Sequence, residues 1–290
     1  MTELHGIEAR SFLRPAEYDQ LRELARAVDE FDGIEVRLIW SRLTSDEHRP
    51  GRHYLLYYHR GRLVGFLGTF TSPGPELSGM VHPEYRGRGI FRRLWAAAMA
   101  EGARLGYESY LLIVDAASVP GKRFADALRA TPDHVEHKLI YPADRAVVPV
   151  RRNGFELRRA TVDDLPILRA LTADGFGMPL AEVTWFDARN IAEDKVRGLL
   201  ALHEGRPIGK ADYFETGDSV CIMGLTVDAA YRGRGVGRLI LTGVVKDIRD
   251  RGPRDIWLEV DAVTDDALHL YQSCGFERVR SYNYYAYRQR

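Results

Sequence analysis

The chain has 290 residues, and its 45% hydrophobic and 28% charged content is typical of a globular protein long enough for about two domains. No run of roughly 18 or more apolar residues could cross a bilayer, and residues 1–10 lack the apolar core of a secretory signal, so a cytoplasmic protein is expected. The 41 basic residues are matched by 41 acidic ones, which argues against a nucleic-acid surface, and two cysteines are too few for a disulfide framework.

The first half of the chain predicts alternating strands and helices. A first strand is followed by a helix over Pro15–Val28 and by a hairpin around His59–Gly65. The next strand ends in a glycine-rich turn at Arg86–Phe91, an amphipathic helix follows, and Leu111–Asp115 forms another strand. A final segment completes the pattern.

The second half repeats this order of elements. The glycine turn recurs at Arg232–Gly237, 146 residues after Arg86, and the strand Trp257–Asp261 follows Leu111–Asp115 at the same offset. The hairpin recurs at His203–Gly209, and the second copy ends in a tyrosine-rich strand, Ser281–Tyr287, which we interpret as sheet packing. So long a period indicates duplicated domains and not a solenoid. We therefore predict lobes over 1–148 and 153–290, joined within Pro142–Gly154.

The second glycine turn has the pattern of an anion site. It lies between the apolar strand Cys221–Val227 and an amphipathic helix that contains Val236, Leu239 and Ile240. Free main-chain N–H groups and the helix dipole at such a helix start attract phosphate oxygens. Glycine allows the phosphates to approach the main chain. Some thirty residues later comes Leu270-Tyr271-Gln272-Ser273-Cys274-Gly275-Phe276.

Together, Arg232–Gly237 and Leu270–Phe276 resemble the R-x-x-G-x-G/A and L-Y-x-x-x-G-F motifs of the GNAT N-acetyltransferase superfamily. The resemblance implies a mixed α/β fold of two tandem lobes, each with a central, mostly antiparallel sheet flanked by helices. It also implies acetyl-CoA as cosubstrate and Tyr271 as the acid that protonates the departing thiolate. The coenzyme would be bound by the residues of the turn and of the strand before it: Leu225, Thr226, Val227, Arg232, Gly233, Arg234, Gly235, Val236 and Gly237. One departure is Thr264, where the family often has Asn.

The two copies differ at the positions that would do chemistry. Gly237 corresponds to Phe91, whose ring would crowd the phosphates unless the helix start is shifted. Tyr271 corresponds to Ala125, and the adjacent Phe124 has no proton to give. We therefore predict a catalytic carboxy-terminal lobe and a degenerate amino-terminal lobe.

The base that deprotonates the acceptor amine is not identified by the sequence. The strand Cys221–Leu225 carries no acid, although many family members have one there. Five carboxylates near this strand or on the strand of Trp257 are candidates: Asp212, Glu215, Asp218, Glu259 and Asp261. Glu259 and Asp261 share one face of a strand and would be tested first, and a water chain could replace a side-chain base.

The expected reaction is acetyl transfer to a primary amine of a small molecule by direct attack on the thioester. Mycothiol synthases have the same tandem layout, so their sugar-linked thiol precursor is one possible acceptor; an antibiotic amine and a protein lysine are others. A non-catalytic acyl-CoA-binding regulator is the competing class. No metal is expected: the nine histidines show no site-like grouping, and His134 and His137 are predicted in a surface turn. The oligomeric state is left open between monomer and homodimer.

Overall fold

The computed structural model describes residues 5–44, 51–71, 74–183, 187–216, 219–252, 254–261 and 265–289. Its strands are β1 (Gly6–Arg10), β2 (Tyr54–His59), β3 (Arg62–Thr71), β4 (Pro75–Val81), β5 (Ser109–Asp115), β6 (Thr131–Tyr141), β7 (Phe155–Arg159), β8 (Arg197–His203), β9 (Arg206–Thr216), β10 (Ser219–Val227), β11 (Asp255–Asp261) and β12 (Glu277–Arg288). Its helices are α1 (Pro15–Asp32), α2 (Trp40–Leu43), α3 (Ile90–Arg104), α4 (Val119–Ala127), α5 (Leu165–Phe176), α6 (Ala188–Ala192), α7 (Val236–Arg249) and α8 (Asp265–Ser273). Within these parts, no helix is both long enough and apolar enough to span a membrane.

The chain divides into two compact units. Unit 1 comprises Met1–Glu136 and Arg280–Arg290, and unit 2 comprises His137–Val279. This division differs from the lobes 1–148 and 153–290 because most of β12, at the end of the second copy, belongs to unit 1, and the end of β6 belongs to unit 2. A repeat in the sequence identifies equivalent strands, but it does not specify which sheet a strand joins, because strand pairing is non-local.

Unit 1 contains a mixed sheet with the order β1-β2-β3-β4-β5-β12. Neighbouring strands are antiparallel except β4 and β5, which are parallel where Glu76 and Leu77 face Leu111 and Leu112. One face packs against α1, with Phe66 in its core, and the other packs against α3, with Leu67 in its core. The alternation of neighbouring residues between two cores is the period-two pattern of a strand buried on both faces.

Unit 2 repeats this arrangement with the order β6-β11-β10-β9-β8-β7. Its parallel pair is β10 and β11, in register at Ser219–Cys221. Helix α7 covers one face with Ile240 and Val244, and α5 covers the other face through Leu168. The predicted fold of mixed, mostly antiparallel sheets flanked by helices is therefore confirmed.

Two predicted elements change their extent or type. Helix α1 continues four residues past the predicted end at Val28, to Asp32. His134 and His137 lie in strand β6 and not in a surface turn, so that prediction was wrong. Pro132 does not interrupt the strand, and His134 stacks on Tyr284 with ring centroids 4.1 Å apart. Tyr284 and Tyr282 are buried in unit 1, consistent with a packing role for the tyrosine-rich strand.

Candidate active site

Both glycine turns end in a helix that begins at the equivalent residue. In unit 2, α7 begins at Val236 after Gly235, whose φ is 78°; in unit 1, α3 begins at Ile90 after Gly89, whose φ is 73°. Glycine adopts this left-handed conformation without steric cost. Each turn therefore precedes a helix start whose first main-chain N–H groups have no partner within the helix, as an anion site requires. The helix start is not shifted in unit 1.

Arginine side chains surround the turn of unit 2. The Arg152 guanidinium lies 2.6–2.9 Å from the point where a Cβ on Gly235 would stand. The Arg232 Nε donates to the Val227 carbonyl at 3.0 Å, and Arg234 lies over the Tyr231 ring at 5.3 Å. Sequence reasoning missed Arg152, because it lies in the linker and about eighty residues from the turn that it contacts.

The strand before this turn, β10, leaves the regular ladder at the predicted residues. Its parallel pairing with β11 extends from Ser219 to Cys221. On the β9 side, Met223 pairs with Asp212 and Thr226 with Lys210, so that Gly224 and Leu225 together face Ala211 alone. This is a β-bulge, a feature common next to active sites. The pairing of a pantetheine arm with Leu225–Val227 along this edge stays a prediction.

Tyr271 lies in the last turn of α8, and the chain turns back immediately after it. The Tyr271 carbonyl accepts hydrogen bonds from the Cys274 and Phe276 N–H groups, both at 3.1 Å. The Phe276 ring then packs edge-on against the Tyr271 ring, with centroids 6.1 Å apart. The spacing of Tyr271, Gly275 and Phe276 thus reflects a turn after the end of α8 that brings the Phe276 ring back against the tyrosine.

Helices α8 and α7 and strand β10 approach one another next to Tyr271. A Cβ on Gly237 would stand 3.0 Å from Leu270 Cδ2 and 3.9 Å from Val227 Cγ2. Arg238 donates to the Ser273 carbonyl at 2.7 Å and to the Ser273 hydroxyl at 2.6 Å, which ties α7 to the end of α8. The structure therefore brings the helix that carries Tyr271 against the helix start that follows the turn.

The surroundings of Tyr271 keep its phenol protonated. Burial raises the pKa of Tyr271 to about 12, and the nearby Cys274 thiol acts in the same direction. Burial also raises the pKa of Cys274. Tyr271 therefore keeps its proton throughout the neutral range, while its raised pKa also makes it a weaker acid toward a thiolate.

The candidate bases differ in burial and contacts. Asp212 is 1% exposed and paired with Lys210, and burial raises its pKa. Glu215 forms an ion pair with Arg197 at 3.0 Å. On β11, Glu259 is half-buried and Asp261 exposed, and they alternate with the buried Leu258 and Val260. Asp218 lies outside the described residues, as do Thr264 and His48.

The equivalent region of unit 1 is open. A cavity of about 510 Å³ runs from the end of the parallel pairing of β4 and β5 to the glycine turn. Its lining includes Ser78, Arg86, Phe91, Trp95, Ile113 and Phe124. Phe91 packs edge-on against Phe124 with ring centroids 4.7 Å apart, and Arg86 is held by both carboxylate oxygens of Asp32 at 2.9 and 2.6 Å.

A family model for the acetyltransferase (GNAT) family matches the chain twice, over residues 15–128 and 166–276. The chain belongs to the GNAT acetyltransferase family. It is 27% identical to a mycothiol acetyltransferase of Thermobispora bispora over 282 residues, which cover 91% of this chain and 94% of that one. It is 31% identical to the mycothiol acetyltransferase of Rhodococcus erythropolis over 285 residues, covering 90% and 92% of the two chains.

A solved structure shares the whole fold of this tandem GNAT protein. The GCN5-related N-acetyltransferase from Sphaerobacter thermophilus superposes with a TM-score of 0.82 at 20% identity and covers 99% of this chain and 97% of its own. The GNAT chain described here is accordingly an acyltransferase that uses acetyl-CoA as cosubstrate. The helix starts after the turns, and the strand edges beside them, fit the phosphates and the pantetheine arm of that cosubstrate.

Among residues 5–289, less the undescribed gaps, no three His, Cys, Asp or Glu side chains are grouped so as to hold an ion. His134 is instead bonded to Asp133 at 2.7 Å. Both cysteines are free thiols.

Proposed function

We propose that this GNAT protein transfers the acetyl group of acetyl-CoA to a primary amine of a small molecule, and that transfer takes place in unit 2. The observation that carries the proposal is the position of Tyr271. It lies on the helix whose Leu270 contacts Gly237, at the first turn of α7. The equivalent residue of unit 1 is the fully buried Ala125, which cannot donate a proton.

In this proposal the coenzyme binds along the open edge of β10. The turn Arg232–Gly237 receives the pyrophosphate through main-chain N–H groups, and Arg152 adds a positive charge beside Gly235. Leu225–Val227 pair with the pantetheine arm as an added strand would. These contacts place the thioester near the bulge, with Tyr271 positioned for the sulfur.

The chemical step is a direct displacement. A neutral amine forms the N–C bond, the C–S bond breaks, and the thiolate takes the Tyr271 proton. The nitrogen is positively charged after attack and loses a proton, which returns through water to the Tyr271 phenolate. A main-chain N–H near Val227 polarises the thioester oxygen during attack. The proton released by the ammonium form goes to a base, for which Glu259 and Asp261 are the first candidates, followed by Glu215. Asp212 is buried and paired with Lys210, so it does not meet the acceptor.

For the acceptor, the full-length similarity to mycothiol acetyltransferases favours an amine on a sugar-linked thiol precursor over an antibiotic amine. The similarity covers both units, so it extends beyond the cosubstrate site to the parts of the chain that would bind an acceptor. We infer a small polar amine as the substrate class.

The test is release of free CoA from acetyl-CoA in the presence of a panel of amines, including amino sugars linked to thiols. Tyr271→Phe is expected to lower kcat by about 10²-fold with little change in acetyl-CoA affinity, since it removes a proton but keeps the ring. Tyr107→Phe, in unit 1, is the matched control and should leave kcat unchanged. An unchanged rate in Tyr271→Phe would remove Tyr271 from the mechanism.

A second binding function is supported by the cavity of unit 1. The turn Arg86–Phe91 starts its helix as the other turn does, and Phe91 lines the cavity beside Phe124. We propose that unit 1 binds an acyl-CoA without transferring its acyl group. Calorimetric titration with acetyl-CoA should then give two sites per chain.

The variant Ala127→Trp, at an exposed residue of the cavity lining, should reduce the two sites to one and leave amine acetylation intact. Loss of acetylation in Ala127→Trp would move the reaction to unit 1. One site per chain in the unsubstituted protein would mean that unit 1 does not bind acetyl-CoA and is a degenerate lobe.

A further inference from the structure

Two fully buried charges lie beneath the bulge of β10 in unit 2. Lys210 and Asp212, on β9, are 0% and 1% exposed, and the ammonium contacts Asp212 Oδ2. Gly224, at the bulge, has a φ of 62°, and a Cβ there would stand 2.7 Å from Asp212 Oδ2 and 2.8 Å from Lys210 Nζ. The ion pair therefore packs directly against the main chain of the bulge.

Helix α5 seals this pair from the other side. Gly175, in the last turn of α5, approaches so closely that a Cβ there would stand 2.3 Å from Thr226 Cγ2. Lys210 pairs across the sheet with Thr226 on β10 and with Leu200 on β8. Leu200 in turn packs against Leu168 of α5. The charges are thus enclosed between the sheet and an apolar helix.

Unit 1 provides an internal comparison. There Phe66 faces Met80 at the position where Lys210 faces Thr226, and Gly68 stands in place of Asp212. The pairing of β3 with β4 runs without a register shift from Thr71 to Gly65. The fold therefore forms without the ion pair, and the ion pair and the bulge occur together in unit 2.

Stability does not explain the pair. Replacing a buried ion pair by apolar side chains of similar volume is often neutral or stabilising. Asp212 Oδ1 is buried with no hydrogen-bond partner among the described residues, which costs stability. The ion pair adds little to stability and occurs only where β10 has its bulge. Its role is therefore to be sought in the backbone of the bulge.

We propose that Lys210 and Asp212 are positioning residues for acetyl transfer, which hold the bulge at Gly224 and Leu225 in the shape that orients the thioester. Because two residues of the bulge oppose one residue of β9, main-chain groups of the bulge are released from the ladder. These groups lie on the strand where the thioester is placed, so this inference rests on the proposed function of unit 2.

The kinetic test uses a variant in which both charges are replaced by side chains of similar volume, Lys210→Met/Asp212→Leu. It should stay folded with a similar melting temperature, while kcat falls by about 10²-fold and the Kd for acetyl-CoA changes little. Gly224→Ala should lower kcat in the same way, because alanine is strained at that φ and its Cβ meets the pair. Asp164→Asn, which breaks the Arg158 ion pair elsewhere in unit 2, is the control for loss of stability alone and should keep kcat.

A binding readout separates this inference from the proposed function. The amide NMR signals of Gly224 and Leu225 should shift with acetyl-CoA in the unsubstituted protein, and the shift should be lost in the double variant. A wild-type kcat in the folded double variant, or bound acetyl-CoA with no response of these amides, would overturn the role of the pair. Failure of the unsubstituted protein to release CoA, with the amide response intact, would overturn transfer and leave the positioning of the thioester in place.

Discussion

Asp29 shows how one side chain in the fold responds to its surroundings. It lies in the last turn of α1, half-buried, where its Oδ1 accepts the Val36 N–H at 2.8 Å. Burial raises its pKa from 3.8 to about 6, and the Val36 hydrogen bond only partly offsets this. The folded protein therefore binds this proton more tightly than the unfolded chain does. The contribution of Asp29 to the free energy of unfolding is fully present below about pH 4. It is lost as the pH rises to about 6 and remains lost above that.

Asp29→Asn should consequently be more stable than the unsubstituted protein at pH 7.5, by about 1 kcal/mol. Asparagine keeps an oxygen for the Val36 N–H and cannot ionise. At pH 4 the two proteins should unfold at nearly the same urea concentration. Asp19→Asn, an exposed position on the same helix, should show no such difference. An equal gain at both pH values would contradict the assignment to ionisation.

Arg152 is a residue that only the three-dimensional structure places at the glycine turn of unit 2. Its guanidinium lies against Gly235, where the phosphates are expected. Arg152→Gln should raise the Kd for acetyl-CoA about fivefold, as expected for the loss of one exposed charge contact. It should also make the Kd less dependent on salt concentration. Arg151→Gln, its exposed neighbour, is the matched control. Equal effects of the two substitutions would show that only the general positive charge matters.

At the scale of elements, the sequence was most informative where the structure depends on neighbours along the chain. The strand, glycine turn and helix start at Arg232–Val236 are local, and each helix begins at the predicted turn. The repeat located both hairpins. The family resemblance placed Tyr271 at the end of a helix, where it lies. The use of Tyr271 and of the nine turn and strand residues by the coenzyme remains a prediction.

The bulge and its ion pair could not be predicted from the sequence. Lys210 and Asp212 alternate along β9 in the same way as solvent-facing charges do in many strands. What buries them is α5, through the close contact of Gly175 with Thr226 some fifty residues away in sequence. In the same way, the cavity of unit 1 depends on how β4 and β5 separate after Leu77 and Leu112, which no local pattern encodes.

At the scale of the whole molecule, the two copies contribute strands to each other's units. β12 pairs with β5 over Tyr282–Arg288, and Arg280 donates to the Gly33 carbonyl at 2.7 Å, all within unit 1. Unit 1 therefore includes the last residues of the chain. Neither predicted lobe, 1–148 nor 153–290, contains all the strands of one unit.

A chain that ends at Val279 should for this reason fail to fold unit 1. It loses the seven paired residues of β12 and the buried Tyr282 and Tyr284, each large aromatic side chain being worth about 3–5 kcal/mol in a core. That loss is comparable to the whole stability of an ordinary domain. Limited proteolysis with mass spectrometry should find cleavage throughout unit 1, whereas a chain that ends at Arg288, with β12 complete, should resist it. Protection of β2 to β5 in the shorter chain would mean that unit 1 is stable without its last strand, and the lobes could then be studied separately.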